Sequence, residues 1–173
     1  MKSLKRIALL LSTIVMLPLT AAPSEAQNPE TPLLNLEAKI ALGEVKGRID
    51  HMALDPMRDR LFVAELENNS VGIVDLKERK VIHVITRLTE PQGVGYEPST
   101  DTVYVANGGD GSVRLYRGAD YAETGRIDLG DDADNIRIDP TTKHVLVGYG
   151  SGGIATKPRW GFTMPSTAGV VTQ

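Results

Sequence analysis

Apolar residues in this chain fall into short segments that alternate with polar positions, and turn-forming residues separate the segments. The apolar segment Val103-Tyr104-Val105-Ala106, for example, leads into Asn107-Gly108-Gly109-Asp110-Gly111, after which Ser112–Arg117 alternates again. Period-two alternation bounded by Asn and Gly is typical of β-strands joined by hairpin turns. The pattern predicts an all-β fold.

The same pattern recurs at an interval of 42 residues. Asp55-Pro56, Glu97-Pro98 and Asp139-Pro140 fall at that interval, and an apolar segment follows each pair. Self-similarity at about 40–45 residues, with several short strands per repeat, indicates the blades of a β-propeller. We predict a partial β-propeller of about three four-stranded blades. The predicted blades span about residues 49–88, 91–130 and 134–155.

A strand-like segment also precedes the first blade. Lys39–Gly43 has the same pattern as Arg126–Gly130, and each is followed by the inner strand of the next blade. In a closed ring, an outer strand supplied by the N-terminus pairs with the last blade and covers its open edge. We therefore predict an outer strand at residues 37–42 that is available for ring closure.

The first residues carry an export signal. Lys2, Lys5 and Arg6 precede an apolar run from 7 to 19, and small residues follow up to Ala26. This arrangement is typical of a cleaved signal peptide, and the run is short for a membrane-spanning helix. We predict a protein of the periplasm or a secreted protein, without a membrane span after cleavage. The alternative is an uncleaved membrane anchor.

The pattern divides the whole chain into four parts. Residues 1–26 form the predicted signal peptide, 27–35 a flexible leader and 36–155 the partial propeller. From 156 to 173 the 42-residue register is lost, which predicts an irregular tail.

Composition narrows the classes of partner. Removing residues 1–26 takes away three basic residues and one acidic residue, so the net charge changes from −3 to −5. An acidic domain with few aromatic side chains is poorly suited to nucleic acid. The absence of cysteine shows that the fold is not built around disulfides.

The second repeat resembles a known family. Tyr104-Val105-Ala106-Asn107, with its Gly-rich turn and Ser112-Val113, is similar to the Tyr-Val-Thr-Asn signature of YVTN-type β-propeller repeats, with Ala106 in place of Thr. Ile73-Val74-Asp75 also suits the end of the third strand in such repeats. The chain looks most like the exported YncE-like branch. This resemblance implies a seven-bladed fold and a binding or scaffolding role without a settled activity.

The number of repeats departs from that family. Three blades are fewer than the 4–8 that propellers typically have. One interpretation is a truncated or frame-shifted member of the family. The other is a short protein that pairs with itself, because a homodimer of three-bladed chains would make a six-bladed ring.

Candidate site residues follow from the register. Asp50, Gln92 and Asp134 occupy one equivalent position, where the chain begins each inner strand and rims the central channel of a propeller. His51 and Asn135 share the next position with Gly93. Carboxylate, amide and imidazole groups in such a ring suit a hard cation or a small polar ligand. The structural alternative is that they accept backbone N–H groups from a neighbouring blade. The predicted ligand-binding residues are Asp50, His51, Gln92, Asp134 and Asn135.

No catalytic set is evident in the sequence. The chain has three histidines and no cysteine, and no serine is paired with a base. We predict an exported scaffold that binds a protein or a small molecule, without a cofactor. One alternative is a metal-dependent enzyme, similar to lactonase or lyase propellers, in which Asp50, His51 and Asp134 hold a divalent metal. The other is a non-functional fragment of a seven-bladed protein.

Overall fold

A computed structural model describes residues 34–157 of the chain. The predicted signal peptide, most of the predicted leader and nearly all of the predicted tail lie outside these residues. The chain divides after Glu37 into two units, and all the strands described below belong to the second unit. Between residues 34 and 157, no helix is both long and apolar enough to cross a membrane.

The described part of the second unit consists of antiparallel sheets that follow one another along the chain. Sheet 1 has the order β1-β2-β3-β4, sheet 2 the order β5-β6-β7-β8, and sheet 3 the order β9-β10-β11. The strands are β1 Ile49–Asp55, β2 Arg60–Glu65, β3 Ser70–Asp75, β4 Lys80–Ile85, β5 Pro91–Glu97, β6 Thr102–Asn107, β7 Ser112–Arg117, β8 Glu123–Asp128, β9 Ala133–Ile138, β10 Val145–Tyr149 and β11 Gly153–Lys157.

Two apolar layers hold the three sheets together. Between sheets 1 and 2, Phe62, Val71 and Ile73 pack against residues that include Val94 and Val105. Between sheets 2 and 3, a second layer joins β6 and β7 to β9 and β10. Its members include Tyr104, Ala106, Val113, Leu115, Ile136, Val145 and Val147. Sheet 2 is therefore apolar on both faces, as expected for a blade with a neighbour on each side.

The repeated Asp-Pro and Glu-Pro pairs have a clear local role. The Asp55 carboxylate accepts hydrogen bonds from the backbone N–H groups of Met57 and Arg58, 2.9 and 3.3 Å away. Glu97 does the same for the turn that follows β5, and Asp139 for the turn that follows β9. An acidic side chain that caps the turn after the inner strand explains why the register repeats an acid there.

The all-β prediction is confirmed, and the three predicted blades correspond to the three sheets. Sheets 1 and 2 have four strands each, whereas the described residues of sheet 3 supply three. Its last strand, β11, continues to Lys157, so regular structure extends two residues beyond the predicted end at 155.

The predicted outer strand at 37–42 is wrong for this structure, because residues 34–48 contain no strand. The alternating pattern survives: Ala38, Ile40 and Leu42 are half-buried and the residues between them are exposed. A β-strand requires a neighbouring strand to pair its N–H and C=O groups, and this segment has none among the described residues. Further along, Lys46 exchanges hydrogen bonds with the Asn68 side chain at 2.8 and 2.9 Å.

Candidate functional site at the inner-strand bulges

The three inner strands share one irregularity, and it coincides with the predicted site residues. In β1 the pairing with β2 shifts between Ile49 and Met52, so Asp50 and His51 lie in a β-bulge. In β5 the pairing with β6 shifts between Pro91 and Gly93, and in β9 the shift lies between the partners of Val147 and Tyr149. A bulge inserts an extra residue and re-aims the side chains around it. The residues at these bulges are Asp50, His51, Gln92, Asp134 and Asn135.

His51 and Asn135 meet directly, although they belong to sheets 1 and 3. The side-chain amide nitrogen of Asn135 lies 3.1 Å from Nε2 of His51. On the other side of the ring, Nδ1 of His51 lies 3.0 Å from Oδ1 of Asp50, whose second oxygen accepts a hydrogen bond from Arg48 at 3.2 Å. The result is a polar chain from Arg48 through Asp50 and His51 to Asn135.

Two buried atoms of this chain are not satisfied by the described residues. Nδ1 of His51 lies within ion-pair distance of Asp50 but has no hydrogen-bond partner among the described residues. Oδ1 of Asn135 also has none. A buried polar atom without a partner costs about 1–3 kcal/mol. Such atoms in one cluster favour a ligand that supplies the missing partners.

Gln92 and Asp134 lie at the same bulge position but make different contacts. Gln92 donates a hydrogen bond from its amide to Oδ1 of Asp132 at 3.1 Å, and it lies close to Gly108. The backbone carbonyl of Asp134 approaches Gly93 so closely that a Cβ at residue 93 would collide with it. The Asp134 side chain is half-buried and makes no hydrogen bond with the described residues.

The described residues give no support to the metal alternative. Between residues 34 and 157, no three His, Asp or Glu side chains come together in a way that would hold a metal ion. Asp50 and His51 are neighbours, but Asp134 does not join them as a third ligand.

The structural alternative was that the bulge residues accept backbone N–H groups from a neighbouring blade. In this structure, other residues have that role. Backbone N–H groups of the segment that joins sheets 1 and 2 are accepted by asparagine side chains from the hairpin turns. Glu90 donates to Oδ1 of Asn69 at 2.8 Å, and Thr89 donates to Oδ1 of Asn107 at 3.2 Å. Asn69 has a left-handed backbone, with φ of 54°, which asparagine adopts more readily than most residues. None of the five bulge residues accepts a side-chain hydrogen bond of this kind from a described backbone N–H group.

One polar cluster was not predicted from the sequence. Arg58, in the turn after β1, contacts Asp55 of its own sheet and both Tyr96 and Asp101 of sheet 2. Its partners in sheet 2 lie about 40 positions further along the chain. The residues that are equivalent to Arg58 in the other two repeats are Thr100 and Thr142. Comparing the repeats at an interval of 42 residues reveals positions that are alike in all of them. Arg58 has no equivalent arginine, so this comparison could not reveal it.

Comparison with solved structures identifies the class of fold. The chain is similar to Kuenenia stuttgartiensis hydrazine synthase, with a TM-score of 0.60 and 22% identity over 72% of this chain and 36% of that one. It is also similar to a chain in the crystal structure of a mitotic checkpoint complex, with a TM-score of 0.56 and 16% identity over 62% of this chain and 35% of that one. Both similarities are to β-propellers, so the described sheets form part of a β-propeller.

These similarities define the fold and nothing finer. Neither a protein-family model nor a curated protein sequence matches the chain. The chain spans about a third of the length of the two solved chains.

Proposed function

We propose that this protein is an exported, non-enzymatic propeller of the YVTN type that binds a small polar ligand at the inner-strand bulges. The resemblance of the second repeat and the N-terminal export signal support this assignment. The all-β propeller fold is compatible with a binding scaffold.

One observation carries the proposal. Three consecutive inner strands bulge at the same register, and two of these bulges are joined by the His51–Asn135 contact. Bulges are over-represented next to functional sites because they re-aim side chains. The side-chain oxygen of Asn135, which has no hydrogen-bond partner among the described residues, is the group that a polar ligand with N–H donors would satisfy.

The charges around the bulges favour a cationic ligand. Asp134 is not paired with a described basic residue, and Asp131 and Asp132 lie just before β9. On the basic side, Arg48 is already paired with Asp50. A small organic cation with several N–H donors therefore suits the site better than an anion.

Calorimetric titration of the full chain tests the proposal. Spermidine is the cationic probe, with glucose as an uncharged hydroxyl probe and CaCl2 as a metal probe. We expect saturable binding of spermidine. The triple variant Asp50→Ala, Gln92→Ala, Asp134→Ala should lose it, because it removes one polar group from each bulge.

Asp120→Ala is the matched control, because this carboxylate is exposed in a turn of sheet 2 and pairs with Arg117. It should bind spermidine as the unmodified chain does. Equal binding by the triple variant, or no saturable heat from any of the three probes with folded protein, would contradict the proposal.

A further inference from the structure

The bulge in β1 brings two consecutive side chains together. In a regular strand, consecutive side chains point to opposite faces of the sheet. At the bulge, however, Nδ1 of His51 lies only 3.0 Å from Oδ1 of Asp50. The other oxygen of Asp50 accepts a hydrogen bond from Arg48, which leaves Oδ1 for the ring. A nitrogen of the imidazole ring therefore faces an anionic oxygen.

The Asp50 carboxylate determines which nitrogen of His51 carries the proton. A neutral imidazole has one N–H donor and one acceptor nitrogen. With the proton on Nδ1, a partly positive N–H group lies beside the carboxylate, and the two attract each other. With the proton on Nε2, the lone pair of Nδ1 would lie 3.0 Å from the anionic oxygen, and the two would repel each other. The neutral ring therefore carries its proton on Nδ1, and Nε2 is an acceptor.

The position of that proton in turn fixes the orientation of the Asn135 amide. Nε2 of His51 lies 3.1 Å from Nδ2 of Asn135. Because Nε2 is an acceptor, the amide NH2 group donates to it and the amide oxygen points away from the ring. That oxygen is Oδ1, the buried acceptor without a hydrogen-bond partner among the described residues. If Nε2 carried the proton, the amide would turn over and present its NH2 group to the same space.

We propose that Asp50 is a positioning residue, which acts through His51 to turn the side-chain oxygen of Asn135 towards the ligand. This role rests on the proposed function, because it concerns the same bulge site, and it specifies the chemistry of the ligand. The ligand group that binds at Asn135 is an N–H or O–H donor. Asp50 sets this preference through the ring and not by its own contact with the ligand.

The three bulges contribute differently to this arrangement. The residue equivalent to His51 is Gly93 in β5 and Asn135 in β9, so the inner strands of the described sheets carry one histidine between them. Sheet 1 therefore supplies the ring that sets the donor and acceptor pattern. Sheet 3 supplies the amide that meets the ligand.

Nitrogen-15 NMR of the full chain with labelled histidine shows which ring nitrogen carries the proton. The spectra are recorded without ligand at the alkaline end of the titration, where the rings are neutral. We expect His51 in the Nδ1–H form. Asp50→Leu, which keeps a similar shape without the charge, should shift the ring towards the Nε2–H form. Asp120→Leu makes the same change at an exposed carboxylate in a turn of sheet 2, and it should leave the ring of His51 unchanged.

Asn135→Leu tests the order of the steps. It removes the amide but leaves the carboxylate, so His51 should keep the Nδ1–H form. An Nε2–H ring in the unmodified chain would overturn the proposal, and so would an unchanged ring in Asp50→Leu that circular dichroism shows to be folded. A ring that changes in Asn135→Leu and not in Asp50→Leu would overturn it too, because Asn135 would then fix the tautomer.

The role of Asp50 and the proposed function can fail separately, because the spectra are recorded without ligand. An Nδ1–H ring that responds to Asp50→Leu, in a chain that does not bind spermidine, would support the role of Asp50 and contradict the proposed function. Saturable spermidine binding by a chain whose His51 carries its proton on Nε2 would support the proposed function and overturn the role of Asp50.

Discussion

At the scale of single residues, Arg58 joins two sheets through several polar contacts at once. Its guanidinium donates to Asp55 at 2.8 Å, to Tyr96 at 3.1 Å and to both oxygens of Asp101 at 2.8 and 3.1 Å. These contacts, with Asp101 first, raise the pKa of Arg58. Burial, together with the bond to Asp101, raises the pKa of Tyr96 to about 12. Both groups therefore keep their protons at ordinary pH.

We expect Arg58→Met to lower the free energy of unfolding by about 2 kcal/mol, because it removes charged hydrogen bonds and leaves the buried Asp55 carboxylate without its cation. Urea denaturation followed by circular dichroism measures this loss. Arg117→Met is the matched control. Its pair with Asp120 is half-exposed, so its cost should stay below about 1 kcal/mol. Equal losses in the two variants would show that the contacts of Arg58 contribute no more than a surface pair.

The site residues and Arg58 differ in how far the sequence reveals them. Asp50, Gln92 and Asp134 were found because the register aligns them. The register could not reveal that these positions are bulged, since a bulge is a mismatch between two strands and needs the pairing of both. It also could not reveal the His51–Asn135 contact, which depends on how the sheets are placed around one another.

At the scale of elements, close approach of the inner strands fixes which residue can follow the bulge of β5. Gly93 lies against the backbone carbonyl of Asp134, and a Cβ there would overlap that carbonyl and crowd Ala106. The equivalent positions in β1 and β9 are His51 and Asn135, which carry full side chains. Sheet 2 is the described sheet with a neighbour on both faces, and glycine allows its inner strand to pack between them.

We expect Gly93→Ala to destabilise the fold by about 1–3 kcal/mol, because the β9 backbone must shift to make room. Gly125→Ala is the matched control, since a Cβ at residue 125 in β8 meets nothing within 4 Å. It should be neutral or stabilising by up to about 1 kcal/mol, because alanine restricts the unfolded chain. Thermal and urea unfolding of both variants measure the difference. Equal stabilities would show that the two inner strands separate at little cost.

Strand prediction succeeded where a strand and its partner lie next to each other in sequence. β7 has the bounds Ser112–Arg117 that alternation and the hairpin turn predicted, and β6 contains the predicted segment Val103–Ala106. The segment 37–42 has a similar pattern but forms no strand. A pattern specifies which residues face inwards, whereas a strand also needs a partner. For this segment the predicted partner belongs to the other end of a closed ring.

At the scale of the whole molecule, acidic side chains fix the turns of all three sheets and make the fold sensitive to acid. Burial alone would raise the pKa of Glu97, but hydrogen bonds from Thr100 and Ser99 outweigh burial and lower it. For Asp101, hydrogen bonds from Arg58 and Tyr96 likewise outweigh burial. The carboxyl groups with lowered pKa are Glu97, Asp101, Asp110, Asp120 and Asp139.

The sign of the pH effect follows from this direction. A carboxyl group whose pKa is lower in the folded state than in the unfolded state stabilises the fold above its unfolded pKa. That value is about 4 for Asp and Glu. The contribution is lost as the pH falls through the folded pKa. We therefore expect the free energy of unfolding to be nearly constant from about pH 7 to pH 5 and to fall steadily below about pH 4.

Glu97→Gln should reduce that dependence, because Glu97 is almost fully buried and accepts hydrogen bonds from four donors in the turn of sheet 2, the backbone N–H and the hydroxyl of both Ser99 and Thr100. The variant should be less stable at pH 7 and should lose less stability between pH 5 and pH 3. Urea titrations at each pH measure both effects. Glu78→Gln, at an exposed carboxylate 3.9 Å from Lys80, is the control and should keep the slope of the unmodified chain. An unchanged slope in Glu97→Gln would mean that acid unfolding begins at other carboxylates, and Asp101 would then be the next group to replace.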